Sequence, residues 1–151
     1  MGPVSQMLKK RNDYWYGDNY TDIHEELARY SESNGYVIHH FADVGCACGG
    51  KVFRLAMDDS AGAAVRFCVS CQHEHRIGDS EEYLADASLE ECTCPCGSEQ
   101  FEVSAGVSLY EASEDVRWLY LGCRCRKCGL TACYGDWKNE FNGYRELLAC
   151  V

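Results

Sequence analysis

The sequence predicts an α+β protein, mostly antiparallel β, built as two cysteine-centred modules with short flanking helices. Three observations predict it. The first is a duplicated cysteine rhythm: Cys46-Ala47-Cys48-Gly49 and then Cys68-Val69-Ser70-Cys71, followed by Cys94-Pro95-Cys96-Gly97 and then Cys125-Arg126-Lys127-Cys128-Gly129. The second is the alternation of residues between these close pairs, with a period of two and breaks at turn-forming residues, which marks hairpins. The third is helical periodicity confined to the two ends of the chain.

Residues 1–42 form an aromatic segment and a helix. Tyr14, Trp15, Tyr16 and Tyr20 surround Gly17-Asp18-Asn19 in a loosely ordered start. Asp22 and Glu25 make a D-x-x-E helix opening that resembles a capping box, and Ile23, Leu27 and Tyr30 fall on one face. Asn34-Gly35 is the stop signal, and Tyr36–Phe41 reads as a short strand leading to the first cysteines.

The first module spans 43–78. Lys51–Met57 alternates, Asp58–Gly62 is a turn, and Ala64–Cys68 is the returning strand. An acidic connector follows at 79–90. Gly78–Asp86 is expected to form a short helix or turn, capped by Ser80, with Tyr83 and Leu84 packed inward. The second module, 91–137, repeats the plan. Phe101, Val103, Ala105, Val107 and Leu109 alternate with smaller or polar residues, as in a half-buried strand. Glu111–Asp115 is the turn, Val116–Leu121 returns toward Cys125, and Leu130–Trp137 adds a third strand. Residues 138–151 are expected to hold a helix with Phe141, Tyr144 and Leu148 on one side, although Gly143 costs it about 1 kcal/mol relative to alanine.

Twelve cysteines in 151 residues approach the density of a disulfide scaffold. However, Met1–Arg11 contains no apolar core of a secretory signal. The chain is therefore expected in the cytoplasm, where thiols stay reduced and metals compete for them. Four thiolates in two close pairs suit a tetrahedral structural zinc. Modules of this size bury too little apolar surface to fold securely alone. Zinc supplies about 10 kcal/mol or more per structural site, so two such ions would be a condition of folding. No run approaches the ~18 apolar residues of a membrane span.

The order of knuckle, hairpin, second knuckle and third strand over residues 43–137 resembles the zinc-ribbon fold group. The resemblance implies one metal site at Cys46, Cys48, Cys68 and Cys71, and another at Cys94, Cys96, Cys125 and Cys128. Gly49, Gly97 and Gly129 suit the tight turns that cradle sulfur. The chain departs from the ribbon pattern in using C-x-C for the first pair of each module and in placing Gln72 after Cys71. Cys92 and Cys123 lie two residues before Cys94 and Cys125, so alternative ligand sets exist. The alignment of Cys94-Pro95-Cys96-Gly97 with Cys46-Ala47-Cys48-Gly49 favours the set named first. Cys123, Cys133 and Cys150 read as small buried apolar residues.

Charge divides the chain. Between Ile77 and Val116 there are eleven acids and no Lys, Arg or His, so the rest of this −10 chain carries about +1. Such a field repels phosphate backbones and attracts basic protein surfaces. A basic protein is accordingly the expected partner. The residues expected to meet it are Glu81, Glu82, Tyr83, Asp86, Glu90, Glu91, Tyr110, Glu111, Glu114, Asp115 and Trp137. The expected role is a non-catalytic binding module, in one version an inhibitor or immunity protein that neutralises a basic toxin or nuclease. The alternative is an accessory factor of nucleic-acid machinery. Its residues would be Arg117, Arg124, Arg126, Lys127, Lys138 and Arg145 with Trp118, Tyr134 and Trp137, but an acidic chain with pI near 4.9 argues against direct nucleic-acid binding. No enzyme motif stands out. His73-Glu74-His75 lacks the H-x-E spacing of zinc deaminases, and no βαβ context surrounds Cys68 and Cys71 as a redox pair would need.

Overall fold

The computed structural model describes residues 8–151. Part of the 1–42 segment, Met1–Met7, lies outside them. The described chain is one ten-stranded antiparallel sheet with two α-helices and a 3-10 turn. The strands are β1 (Lys9–Arg11), β2 (Tyr14–Tyr16), β3 (His40–Asp43), β4 (Phe53–Asp58), β5 (Ala63–Cys68), β6 (Glu74–Arg76), β7 (Glu90–Glu91), β8 (Phe101–Leu109), β9 (Val116–Cys125) and β10 (Leu130–Phe141). Their order is β1-β2-β10-β9-β8-β4-β5-β6, with β3 on β8 and β7 on β4. The helices are α1 (Tyr20–Asn34) and α2 (Tyr144–Leu148), and the 3-10 turn is Ser80–Asp86.

The aromatic start is not loose. Tyr14–Tyr16 is ordered by pairing: β2 lies between β1 and the edge of β10, with Leu130 opposite Tyr16 and Thr131 opposite Trp15. Helix α1 begins three residues earlier than the D-x-x-E pattern suggests. Asn19 is the N-cap. Its side chain accepts from the Asp22 backbone N–H at 3.1 Å, while the Asp22 carboxylate accepts from the Asn19 N–H at 3.3 Å. Gly35 ends the helix at φ +90°, its N–H donating to the Ser31 carbonyl. The C-terminal segment differs from the expected helix. Lys138–Phe141 stay in β10, opposite Trp118 and Val116 of β9, and only five residues after Gly143 are helical. A free row of β9 backbone groups outcompetes a weak helical pattern interrupted by Asn142-Gly143.

Strands β8 and β9 are covered on both faces. Odd-numbered residues (Phe101, Val103, Ala105 and Val107 with Leu119, Leu121, Cys123 and Cys125) join the main core with β4, β5 and α2. Even-numbered residues face α1, where Ile23, Leu27 and Tyr120 form a second core. The half-buried strand expected at 101–109 is therefore buried almost throughout. Its even positions are small because other elements lie close: a Cβ at Gly106 would sit 2.7 Å from Ile38, and one at Gly122 would sit 2.7 Å from Ile23.

The two modules meet in one row of residues. Cys68 of β5 pairs with Phe53 of β4, Phe53 with Phe101 of β8, and Phe101 with Cys125 of β9. Both phenylalanines are fully buried in a core that both modules share. No helix among the described residues is long and apolar enough to cross a membrane.

Candidate metal centres

Each cysteine group is assembled from two kinds of turn. In the C-x-C turns the pattern repeats. Cys46 N–H donates to Gly50 O at 2.9 Å and Gly49 N–H to Cys46 O at 2.8 Å; Cys94 N–H donates to Ser98 O at 2.8 Å and Gly97 N–H to Cys94 O at 2.7 Å. In the C-x-x-C turns, Gln72 N–H donates to Cys68 O at 2.8 Å and Gly129 N–H to Cys125 O at 2.9 Å. The residue closing this second turn must adopt positive φ. Gly129 does so at +84° without strain, and Gln72 does so at +68° despite its side chain. The missing glycine after Cys71 therefore leaves the turn type unchanged.

These turns gather Cys46, Cys48, Cys68 and Cys71 in one group and Cys94, Cys96, Cys125 and Cys128 in the other, with all sulfurs of a group within 4.8 Å of one another. The nearest sulfurs are 3.6 Å apart for Cys46–Cys71 and Cys48–Cys68, 3.5 Å for Cys94–Cys128 and 3.6 Å for Cys96–Cys125. All twelve cysteines are free. Sulfurs at about 2.3 Å from a central ion in tetrahedral geometry would be about 3.8 Å apart, so the spacing fits a metal and not a disulfide. Each group could hold one metal ion, and the pair is compatible with zinc-ribbon-like modules.

The electrostatics agree. The backbone N–H groups of Cys71 and Ser70 point at Cys68 and pull its thiol down to about 7. At Cys125 burial works the other way, but the N–H groups of Cys128 and Lys127 prevail and bring it to about 7 as well. Their neighbours move up. Burial and the adjoining sulfurs push Cys94 to about 12. At Cys71 the His73 N–H favours the thiolate, but the crowded sulfur neighbours and burial outweigh it and push the thiol up to about 12. One thiolate per group is tolerated and further ones repel, so a compact cation at the centre would let all four sulfurs ionise together. Arg66, buried between Phe53 and Val151 O, adds a positive charge beside Cys46 and Cys68.

The other cysteines stay outside. Cys123 is buried on β9, Cys92 and Cys133 are half-buried, and Cys150 is exposed, so Cys150 is not the buried residue expected. Three of the histidines make structural contacts: His75 bonds the Cys150 carbonyl, His39 accepts from the Leu109 N–H, and His40 stacks on Tyr144.

The acidic residues divide into three groups. Glu81, Glu82 and Asp86 lie exposed on the 3-10 turn with Tyr83, which points outward instead of packing inward. Ser80, the expected cap, is instead buried between Ile77 O and Ala64 N–H. Glu90 and Glu91 pair with β4, and Glu91 meets Arg54 at 3.0 Å. Glu111, Glu114 and Asp115 occupy the β8–β9 turn, where Glu114 meets Arg145 at 3.0 Å and Asp115 accepts from Gly143 N–H at 2.9 Å. Tyr110 donates its hydroxyl proton to Glu140 of β10. Trp137 is only 5 % exposed and belongs to the core, but its edge joins Tyr83, Gly62, Lys138, Asn139 and Glu140 around a pocket of about 210 Å³. Sequence reasoning missed Asn139 and Gly62, since neither carries a motif.

The fold and its paired four-cysteine groups define a β-rich protein with two potential metal-binding sites. No family model matches the chain, and neither a curated protein nor a solved structure proves similar to it.

Proposed function

We propose that this protein is a zinc-stabilised, non-catalytic binding module of tandem zinc-ribbon-like design, working in a reducing compartment and docking a basic protein through its acidic, aromatic-edged face. Two structural zinc ions fit sets of four sulfurs that leave no position open for a reacting water. The observation that carries the docking surface is the pocket beside the 3-10 turn. There Trp137 Nε1 and Asn139 Oδ1 are buried with no partner, one a donor and the other an acceptor. A peptide amide from a partner seated in the pocket would complement both, and the exposed Glu82 and Asp86 of the 3-10 turn that supplies Tyr83 would attract basic flanking residues, as Glu81 does Arg76 at 2.9 Å. A toxin or nuclease with a basic cleft is one such partner, which would make this chain an inhibitor or immunity protein.

The test has two parts. Elemental analysis of reduced protein should return two equivalents of zinc. Capture from the native cell should then recover a basic protein that a Glu81→Lys, Glu82→Lys, Asp86→Lys variant loses while keeping its zinc. Recovery of acidic partners only, or equal capture by the variant, would refute the docking surface.

A further inference from the structure

The cations of this acidic chain are not dispersed. The sheet order places β1 and β2 at the end opposite β5, β6 and the acidic 3-10 turn. At the β1 end, Lys9, Lys10 and Arg11 meet Arg124 and Lys127 of the second cysteine turn around a groove of about 580 Å³. Asp18 is the one carboxylate among its lining residues. Arg124 is committed to Gly17 O at 2.7 Å and Glu102 at 3.0 Å, so it forms a wall. Lys9, Lys10, Arg11 and Lys127 have no acidic partner among the described residues, and the three β1 cations are exposed. A zinc ion with four thiolates carries a formal −2, which these cations exceed.

The hairpin also sorts its residues. Register sets Lys9 opposite Tyr16 and Arg11 opposite Tyr14, so these four share one face. The Arg11 guanidinium lies 4.1 Å above the Tyr16 ring, while Tyr14 is 45 % exposed and stacks on no ring or cation among the described residues. Cations in a groove beside an exposed aromatic are what a single strand of nucleic acid needs: phosphates on the cations and a base on the ring. An acidic peptide would use the cations and leave Tyr14 idle.

We propose that this groove binds single-stranded nucleic acid, with Lys9, Arg11 and Lys127 on phosphates and Tyr14 stacked on a base. The proposal is independent of the acidic face, which lies elsewhere on the molecule.

Fluorescence anisotropy of the zinc-loaded full chain with a labelled mixed-sequence single strand of roughly 12 nucleotides tests it. Three phosphate contacts to a single strand give a log–log salt slope of about −2, an affinity loss of about 20-fold from ~50 to ~200 mM salt. The double variant Lys9→Ala, Arg11→Ala should weaken binding about tenfold or more and cut the slope to about −0.7. Tyr14→Ala should weaken it about five- to hundredfold with the slope unchanged. Zinc content and melting temperature should stay at wild-type values, because these side chains are exposed. No binding at low salt, equal binding by the double variant, or equal binding of a polyglutamate peptide of matched charge would each overturn the proposal.

Discussion

Cys123 and Cys125 provide a controlled comparison. They lie two residues apart on β9, face the same core and are both completely buried. Only Cys125 belongs to a tetrathiolate group. Serine at position 123 buries a hydroxyl among apolar neighbours, at a cost of about 1–3 kcal/mol. For a chain of this length that lowers the melting temperature by roughly 2–12 °C. Serine at position 125 adds the loss of a ligand. A structural zinc contributes about 10–16 kcal/mol, comparable with the entire net stability of about 5–15 kcal/mol expected of a domain. Cys125→Ser should therefore retain at most one zinc equivalent instead of two and lose amide dispersion over Cys94–Cys128 at least, while Cys123→Ser keeps both ions and a native spectrum. Metal analysis by mass spectrometry, thermal melts and a nitrogen–proton correlation spectrum read the difference. Two retained equivalents in Cys125→Ser, with a melt matching Cys123→Ser, would refute the ligand assignment.

Three further outcomes follow from the packing. Gly122→Ala places a Cβ 2.7 Å from Ile23 and 2.8 Å from Leu27, so it should push α1 off the sheet and cost about 1–3 kcal/mol, read as a lower urea midpoint. Gly97→Ala meets open space and only an unfavourable φ of +97°, worth about 1–2 kcal/mol. Gly129→Ala meets the same strain plus the Gly17 carbonyl at 3.0 Å and should melt lower than Gly97→Ala. Burial raises the Glu26 carboxyl above its ordinary value, more than Arg29 lowers it. A raised folded value means stability that is present below the unfolded value near ~4.3 and lost as pH rises through the folded one. Glu26→Gln should then melt above wild type at pH 8, by less than about 4 °C, with the gap narrowing toward pH 5.

The two four-cysteine groups were the most legible part of the sequence. Sulfur spacing is a local constraint, and all eight expected ligands are gathered as written. The hairpin strands were legible for a similar reason, since β4 and β8 alternate along their sequence and each is followed by a marked turn that leads into β5 or β9. What escaped depended on distant partners. Tyr14–Tyr16 is too short to announce a strand until the edge of β10 receives it. Lys138–Phe141 carries a faint helical pattern and a strand alternation at once, and only the presence of β9 decides between them. The second buried face of β8 was hidden because Ser104, Gly106 and Ser108 look like surface residues, whereas their smallness makes room for α1 and the Ile38 segment. Lys9-Lys10-Arg11 was visible as a run of charge, but nothing local placed it beside Lys127.

The row Cys68–Phe53–Phe101–Cys125 reads the same in both directions. Each half thus offers its neighbour an identical aromatic plug, while its own residues cover the rest of the ring: Arg66 lies 4.9 Å over Phe53, and Tyr134 packs on Phe101 with centroids 5.0 Å apart. A lone half would leave the side of its ring that meets the other bare, so each half completes its core with a residue of its neighbour.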